Sequence, residues 1–289
     1  MEIKKVYINE ENYPSLLKEI PDPPDPLYYI GNLGLAEGEC VGIVGSRRTT
    51  QYGRWTARTL GRKIAAAGGV VVSGMAAGID ACAHWGAIDA GEKGERYNTI
   101  AVMGCGIDQC YPKSNRELWD KIVSGGLIVS EYAPGTAATK YTFPQRNRII
   151  SGLSDAVVVV QAPGSSGALI TAERAVEQGR DVYAVPANIN SEYSFGSNKL
   201  LLDGAIPLVV MDDLLADRGL AADLHEGSIM ELGEEEKLVM KEILSKGEMT
   251  AEQLAVSLKM QPAEVSGIVT IMEMKGLLCS SLGKIFIAK

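Results

Sequence analysis

Short runs of valine and isoleucine alternate with helix-forming stretches across residues 40–210, and this alternation leaves few folds open. Apolar residues 41–45 precede a helical pattern over 51–67. Residues 70–73 precede 79–90, and 99–102 precede 114–123. Then 127–129 lead to 144–152, 156–160 lead to 168–178, and 182–185 and 206–210 close the series. These runs are short, continuous and rich in valine and isoleucine, as strands buried on both faces are. Their repetition with helices demands right-handed crossovers and a parallel, doubly wound α/β sheet. Upstream, Tyr13-Pro14 and Pro21-Asp-Pro-Pro-Asp-Pro26 cannot continue a helix or a central strand. Residues 1–30 are therefore expected to form a stiff, extended lead-in, with the sheet domain over 31–215.

Residues 216–233 read as an acidic, glycine-containing linker. Beyond it, 234–245 reads as a helix with Leu238, Ile243 and Leu244 on one side. Thr250 caps a second helix over 251–258, Pro262 opens a third over 263–275, and Gly276 stops it. Residues 277–280 and 284–288 form a hairpin around Gly283. Three helices and a hairpin predict a small winged helix-turn-helix domain over 234–289.

Charge is distributed unevenly. The chain carries a net −8, which argues against nucleic acid as a partner. Residues 212–242, however, hold ten acids against three bases, while residues 41–79 hold no acid and include Arg47, Arg48, Arg54, Arg58, Arg62 and Lys63. A basic face on an acidic protein can steer a polyanion to one surface. Five cysteines without a C-x-x-C pair support neither a zinc site nor a disulfide framework, and two histidines make a histidine metal site unexpected. No metal or cofactor is expected. The N-terminus lacks a signal-peptide core, and the apolar runs are too short to span a bilayer, so a cytoplasmic protein with no membrane partner is expected.

Two segments put arginines at predicted helix starts: Gly45-Ser-Arg-Arg48 with Tyr52-Gly53, and Lys140-Tyr-Thr-Phe-Pro-Gln-Arg-Asn-Arg148. A cation there costs roughly 0.3–1 kcal/mol against the helix dipole, unless an anion compensates. Backbone amides and an arginine fork supply a phosphate site. Gln161-Ala-Pro-Gly-Ser-Ser166-Gly167 forms a second strand-to-helix turn, and in a doubly wound sheet both turns share the carboxyl edge where ligands bind. The spacing does not fit a dinucleotide fingerprint, and no Walker A loop is present. Asp80 and His84 lie four apart on one helix face, where a structural hydrogen bond is expected over a general-base dyad. Phe143, Tyr141 and Tyr52 beside these basic residues give the aromatic-plus-cation composition that holds single strands.

Together, Gly45-Ser-Arg47, Tyr52-Gly53, Ser73-Gly74, Gly78-Ile-Asp80, Ala83-His84 and Tyr111-Pro112 resemble the DNA-processing protein A (DprA/Smf) family. The resemblance continues through Ser130-Glu131, Phe143-Pro-Gln-Arg-Asn-Arg148, Ser166-Gly167-Ala-Leu-Ile-Thr171 and Gly204-Ala205. It implies an extended Rossmann fold that binds single-stranded DNA without cutting it. It also implies a homodimer, and delivery of the RecA recombinase to incoming strands in natural transformation. Carried over by position, Gly45, Ser46, Arg47, Arg48, Tyr52 and Gly53 form one wall of a DNA pocket. Lys140, Phe143, Arg146, Asn147 and Arg148 form another, with Ser166 and Gly167 at the second turn. The chain departs from the family at Ala77, usually arginine, and at Gln161, usually glutamate. It also begins near the lead-in, where many relatives first carry a helical domain. Competing readings are a nucleotide-processing phosphoribohydrolase, whose phosphate turn Pro163-Gly-Ser-Ser-Gly-Ala168 only partly matches, and a protein-binding adaptor.

Overall fold

The computed structural model describes residues 2–91, 96–220, 233–274, 277–281 and 283–287. The chain divides into two units, Met1–Ala222 and Asp223–Lys289. In the first, nine strands form one sheet: β1 Lys4–Val6, β2 Leu27–Gly31, β3 Cys40–Gly45, β4 Val70–Ser73, β5 Thr99–Val102, β6 Leu127–Ser130, β7 Ala156–Gln161, β8 Asp181–Ala184 and β9 Ile206–Pro207. The helices are α1 Ser15–Lys18, α2 Gln51–Ala66, α3 Ile79–Ala90, α4 Arg116–Gly125, α5 Thr142–Gly152, α6 Gly167–Glu177, α7 Phe195–Leu202 and α8 Met211–Asp217.

The strand order is β1-β2-β6-β5-β4-β3-β7-β8-β9. Every pair from β6 to β9 is parallel, while β1–β2 and β2–β6 are antiparallel. The sheet is covered by apolar cores on both faces. Val70 and Val72 face one and Val71 the other; Val157 and Val159 likewise oppose Ala156, Val158 and Val160. Period-two side-chain alternation between two covered faces explains why these runs are apolar throughout.

The lead-in expectation is corrected. Residues 2–30 are part of the sheet domain, contributing β1, α1 and β2, and Tyr13, Leu17 and Leu27 are core residues. The proline cluster occupies only the turn before β2, whose Leu27-Tyr-Tyr-Ile30 run pairs antiparallel with β6. Smaller shifts occur elsewhere. A 3-10 turn, Lys113–Asn115, precedes α4, and α5 begins at Thr142. β9 ends at Pro207, which has no N–H to extend a ladder. Among the described residues, no helix is long and apolar enough to cross a membrane.

The second unit contains α9 Glu234–Lys246, α10 Ala251–Leu258 and α11 Pro262–Met274, then the antiparallel pair β10 Leu278–Ser281 and β11 Lys284–Ile287. Thr250 accepts from the Gln253 amide and Gln253 returns the bond, which fixes the start of α10. Leu238 is half exposed, so Val239, Met240 and Ile243 form the inner face of α9 instead. Val265, Ile268, Val269 and Met272 all join this core, since their spacing places them on one helical face. Most of the linker, residues 221–232, lies outside the described residues.

Candidate nucleic-acid interface

The strand order turns back between β3 and β7, and ligands of such sheets bind beyond the carboxyl ends at that point. Here the Ser46 amide donates to the Gln161 carbonyl at 2.7 Å, tying the two turns together. Gly45 is required at this join. A Cβ would lie 2.5 Å from Ile79 Cγ1 and 2.9 Å from the Gln161 carbonyl. Above it opens a cavity of about 550 Å³. Its wall holds Gly45, Ser46 and Arg47 from the β3 turn, and Ser166 and Gly167 from the start of α6. Lys140, Phe143, Arg146 and Asn147 come from α5 and its approach. These nine expected site residues meet although they come from three separate parts of the chain.

The rim is cationic and aromatic. Arg47 is exposed, and its guanidinium lies 5.1 Å from the centre of the Phe143 ring. Lys140 is also exposed, with its ammonium 5.0 Å from the Tyr141 ring. Phe143 is half buried between Tyr111, at 5.2 Å between ring centres, and the backbone of Gly104. It is thus a held aromatic edge with Arg47 alongside. On the opposite side, Ser166 caps α6 by accepting from the Ala168 amide, and Asn147 donates to the Gly167 carbonyl. That helix N-terminus, with its partial positive charge, borders the cavity.

Two arginines expected at phosphates are engaged by the protein itself. Arg146 is buried at the cavity floor and donates to the carbonyls of Gly74 and Val102. Its charge faces Asp80, which also accepts from the amides of Ala76, Gly74 and Gly45. Burial pushes the Asp80 carboxyl up to about 6 despite these partners, and burial likewise pulls Arg146 down to about 10. Arg148 forms a bidentate pair with Glu131, at 3.0 and 2.9 Å, and reaches Asp22 at 3.2 Å. The Arg-x-Arg spacing sends one side chain inward and the other to the Ser130-Glu131 turn, so neither is a free cation.

Three further expected residues stand outside the cavity lining. Arg48 is exposed, with its amide donating to Ser46 Oγ. The Tyr52 hydroxyl donates to the Pro186 carbonyl at 3.3 Å. Gly53 is a packing glycine, since a Cβ there would lie 2.6 Å from Gln161 Oε1. The buried Gln161 amide accepts from Thr49 Oγ1 and the Thr50 amide and donates to Ser194 Oγ. It braces the entry to α2. Ala77 lines a smaller space of about 90 Å³ beside Tyr111, Pro112 and Phe143. Tyr111 and Asp80 are site residues that local pattern did not assign. Tyr111-Pro112 is visible as a motif, but its stacking partner lies 32 positions away.

Asp80 and His84 form no dyad: Asp80 faces Arg146, and His84 Nδ1 lies 2.7 Å from Thr99 Oγ1. The Thr99 hydroxyl donates to the Val71 carbonyl, so His84 Nδ1 donates to Thr99 and its Nε2 is left buried without a partner. Burial, with the Arg146 charge, holds His84 down at about 3 from 6.5. A depressed pKa gives stability that is complete above 6.5 and is lost as pH falls toward 3. Asp80, raised from 3.8 to about 6, acts with opposite sign, losing its contribution as pH rises through 6. Comparison with His84→Gln isolates the histidine. Urea unfolding should show the wild type losing about 2 kcal/mol more than the variant between about pH 6.5 and about pH 5. Parallel pH profiles would show that His84 does not carry this burden.

The family model for DNA recombination-mediator protein A matches residues 4–219. Protein Smf of Synechocystis is 43% identical over 224 residues, covering 76% of this chain and 55% of that protein. DNA processing protein DprA of Bacillus subtilis is 41% identical over 216 residues, covering 74% and 71%. The X-ray structure of DprA from Streptococcus pneumoniae superposes with a TM-score of 0.70 at 41% identity, covering 75% of each chain. DNA processing protein A from Helicobacter pylori, whose structure concerns its single-stranded DNA binding mode, gives a TM-score of 0.68 at 32% identity, covering 75% of this chain and 95% of that one.

Proposed function

The chain belongs to the DNA recombination-mediator protein A family, and on that premise we propose that its carboxyl-edge cavity binds single-stranded DNA without cutting it. The observation that carries this reading is the shared rim of Arg47, Phe143 and Lys140 facing the α6 N-terminus. Cations meet phosphates there while the Phe143–Tyr111 pair offers π-surface to a base. Asp80 faces Arg146 and His84 bonds Thr99, so these two do not act together as an acid–base pair in this reading. The test is binding of a labelled oligothymidine across a salt series, in which phosphate contacts give a steep slope. Release of base from nucleoside monophosphates, without oligonucleotide binding, would favour the phosphoribohydrolase alternative.

In this reading the protein acts in the cytoplasm, protects incoming strands and delivers RecA to them in transformation or recombination. A homodimer through the end of the sheet suits residues 198–210, where Leu202 and Ile206 are exposed while Leu200 packs on the core. Light scattering at micromolar concentration should give twice the chain mass, and a strict monomer would count against the interface. We read the second unit as a winged helix. Its third helix carries Glu264 and Glu273, and with four of its apolar residues consumed by the core it offers DNA little. Deleting residues 234–289 should leave single-strand affinity within about threefold, or roughly 0.7 kcal/mol. A hundredfold loss would assign the module to DNA.

A further inference from the structure

The outer face of α2 is unexplained by the fold. Its buried side, which includes Thr56, Ala57, Leu60, Ile64 and Ala65, packs on the sheet domain's core. Opposite it, Trp55 is 59% exposed, an unusual position for so large an apolar side chain. Helical spacing sets Gln51 one turn before Trp55, with Arg58 and Arg62 one and two turns after it; Arg54 flanks the row. All four neighbours are exposed. Arg58 is held by Asp89 of α3 at 2.6 Å, whereas Arg54 and Arg62 have no ion pair among the described residues. The row starts just after Arg47 and Arg48, and Arg47 is already part of the cavity rim.

From this continuity we propose that the outer face of α2 holds the flank of a single strand seated in the cavity. A base stacks on Trp55, and Arg54 and Arg62 bind backbone phosphates. The inference rests on the single-strand reading of the cavity. The occupant follows from chemistry: exposed cations beside an exposed indole, with no ion pair to Arg54 or Arg62 among the described residues, match alternating phosphates and bases. The face is also rigid, because α2 packs along α3 through glycines on both helices: a Cβ on Gly61 would meet the Ala83 carbonyl at 2.3 Å, and one on Gly86 the Arg58 carbonyl at 2.1 Å.

The test compares oligothymidines of about 4 and about 16 nucleotides, the two ends of the usual range of single-strand site sizes. Trp55→Ala, a surface change, should weaken the longer strand about tenfold and the shorter less than about twofold. The longer strand should quench tryptophan emission in the wild type, and Trp55→Phe should abolish that quench, since Trp119 is buried and Trp85 half buried. Arg54→Gln/Arg62→Gln should lower the salt slope for the longer strand by about 1.4, at about 0.7 per phosphate contact. Unchanged affinity in Trp55→Ala, together with no quench in the wild type, would overturn the proposal while leaving the cavity reading intact. Equal losses for both lengths, or an altered molar mass by light scattering, would overturn it in favour of a folding defect or a protein interface. A wild type that binds neither length would overturn the cavity reading and this inference together.

Discussion

Replacing Arg146 with alanine should destabilise the sheet domain by about 3–5 kcal/mol, the usual cost of breaking a buried ion pair from one side. The guanidinium bridges three elements that are remote in sequence: the Gly74 turn, the Val102 strand end and Asp80 at the start of α3. Its removal leaves two buried carbonyls without that donor and a carboxylate without its countercharge. Asp80 would then titrate higher still, because burial dominates its environment and the opposing charge is gone. Urea unfolding at pH 7 measures the loss. Pairing the change with Asp80→Asn, as Arg146→Met/Asp80→Asn, should recover part of it, because the neutral side chain keeps an acceptor for the Ala76, Gly74 and Gly45 amides and leaves no orphaned charge. An Arg146→Ala variant as stable as wild type, but with weakened DNA binding, would return this residue to the phosphate contacts.

The contrast between Arg146 and its neighbours shows what could be read before folding. The sheet was legible because residues 70–72 and 156–160 are apolar without interruption, as strands buried on both faces are. The cavity was legible because strand–helix alternation alone puts the Ser46 and Ser166 turns on one edge. The fate of each cation was not. Arg47 and Arg146 are equally basic in sequence, yet one is exposed and the other buried, and the difference depends on Asp80, 66 positions before Arg146. The packing of Gly53 was hidden for a similar reason, since its neighbour Gln161 arrives from β7. The proline-rich stretch misled because proline forbids strand only where it stands. It says nothing of Leu27–Gly31, one residue beyond Pro26.

Arg47→Ala/Lys140→Ala should weaken single-strand binding about 30- to 150-fold, or roughly 2–3 kcal/mol, while leaving stability nearly unchanged. Both side chains are exposed at the cavity rim and neither has an ion pair among the described residues. Their loss removes attraction for phosphate without orphaning a buried partner. The salt slope should fall by about 1.4 for two contacts on a single strand. The effect should be alike for every base sequence, since phosphate contacts carry no sequence information. Phe143→Ala should lower affinity with little change in slope, because stacking is not electrostatic. Arg148→Ala separates rim cations from the rest. Glu131 already holds that guanidinium at 2.9 and 3.0 Å, so its loss should lower stability more than affinity. Fluorescence anisotropy of a labelled oligothymidine over a salt series reads all three variants. If the Arg47/Lys140 variant bound like wild type, the strand would have to lie away from this rim. If Arg148→Ala gave the larger loss, the Glu131 pair would open on binding and Arg148 would be a phosphate ligand after all.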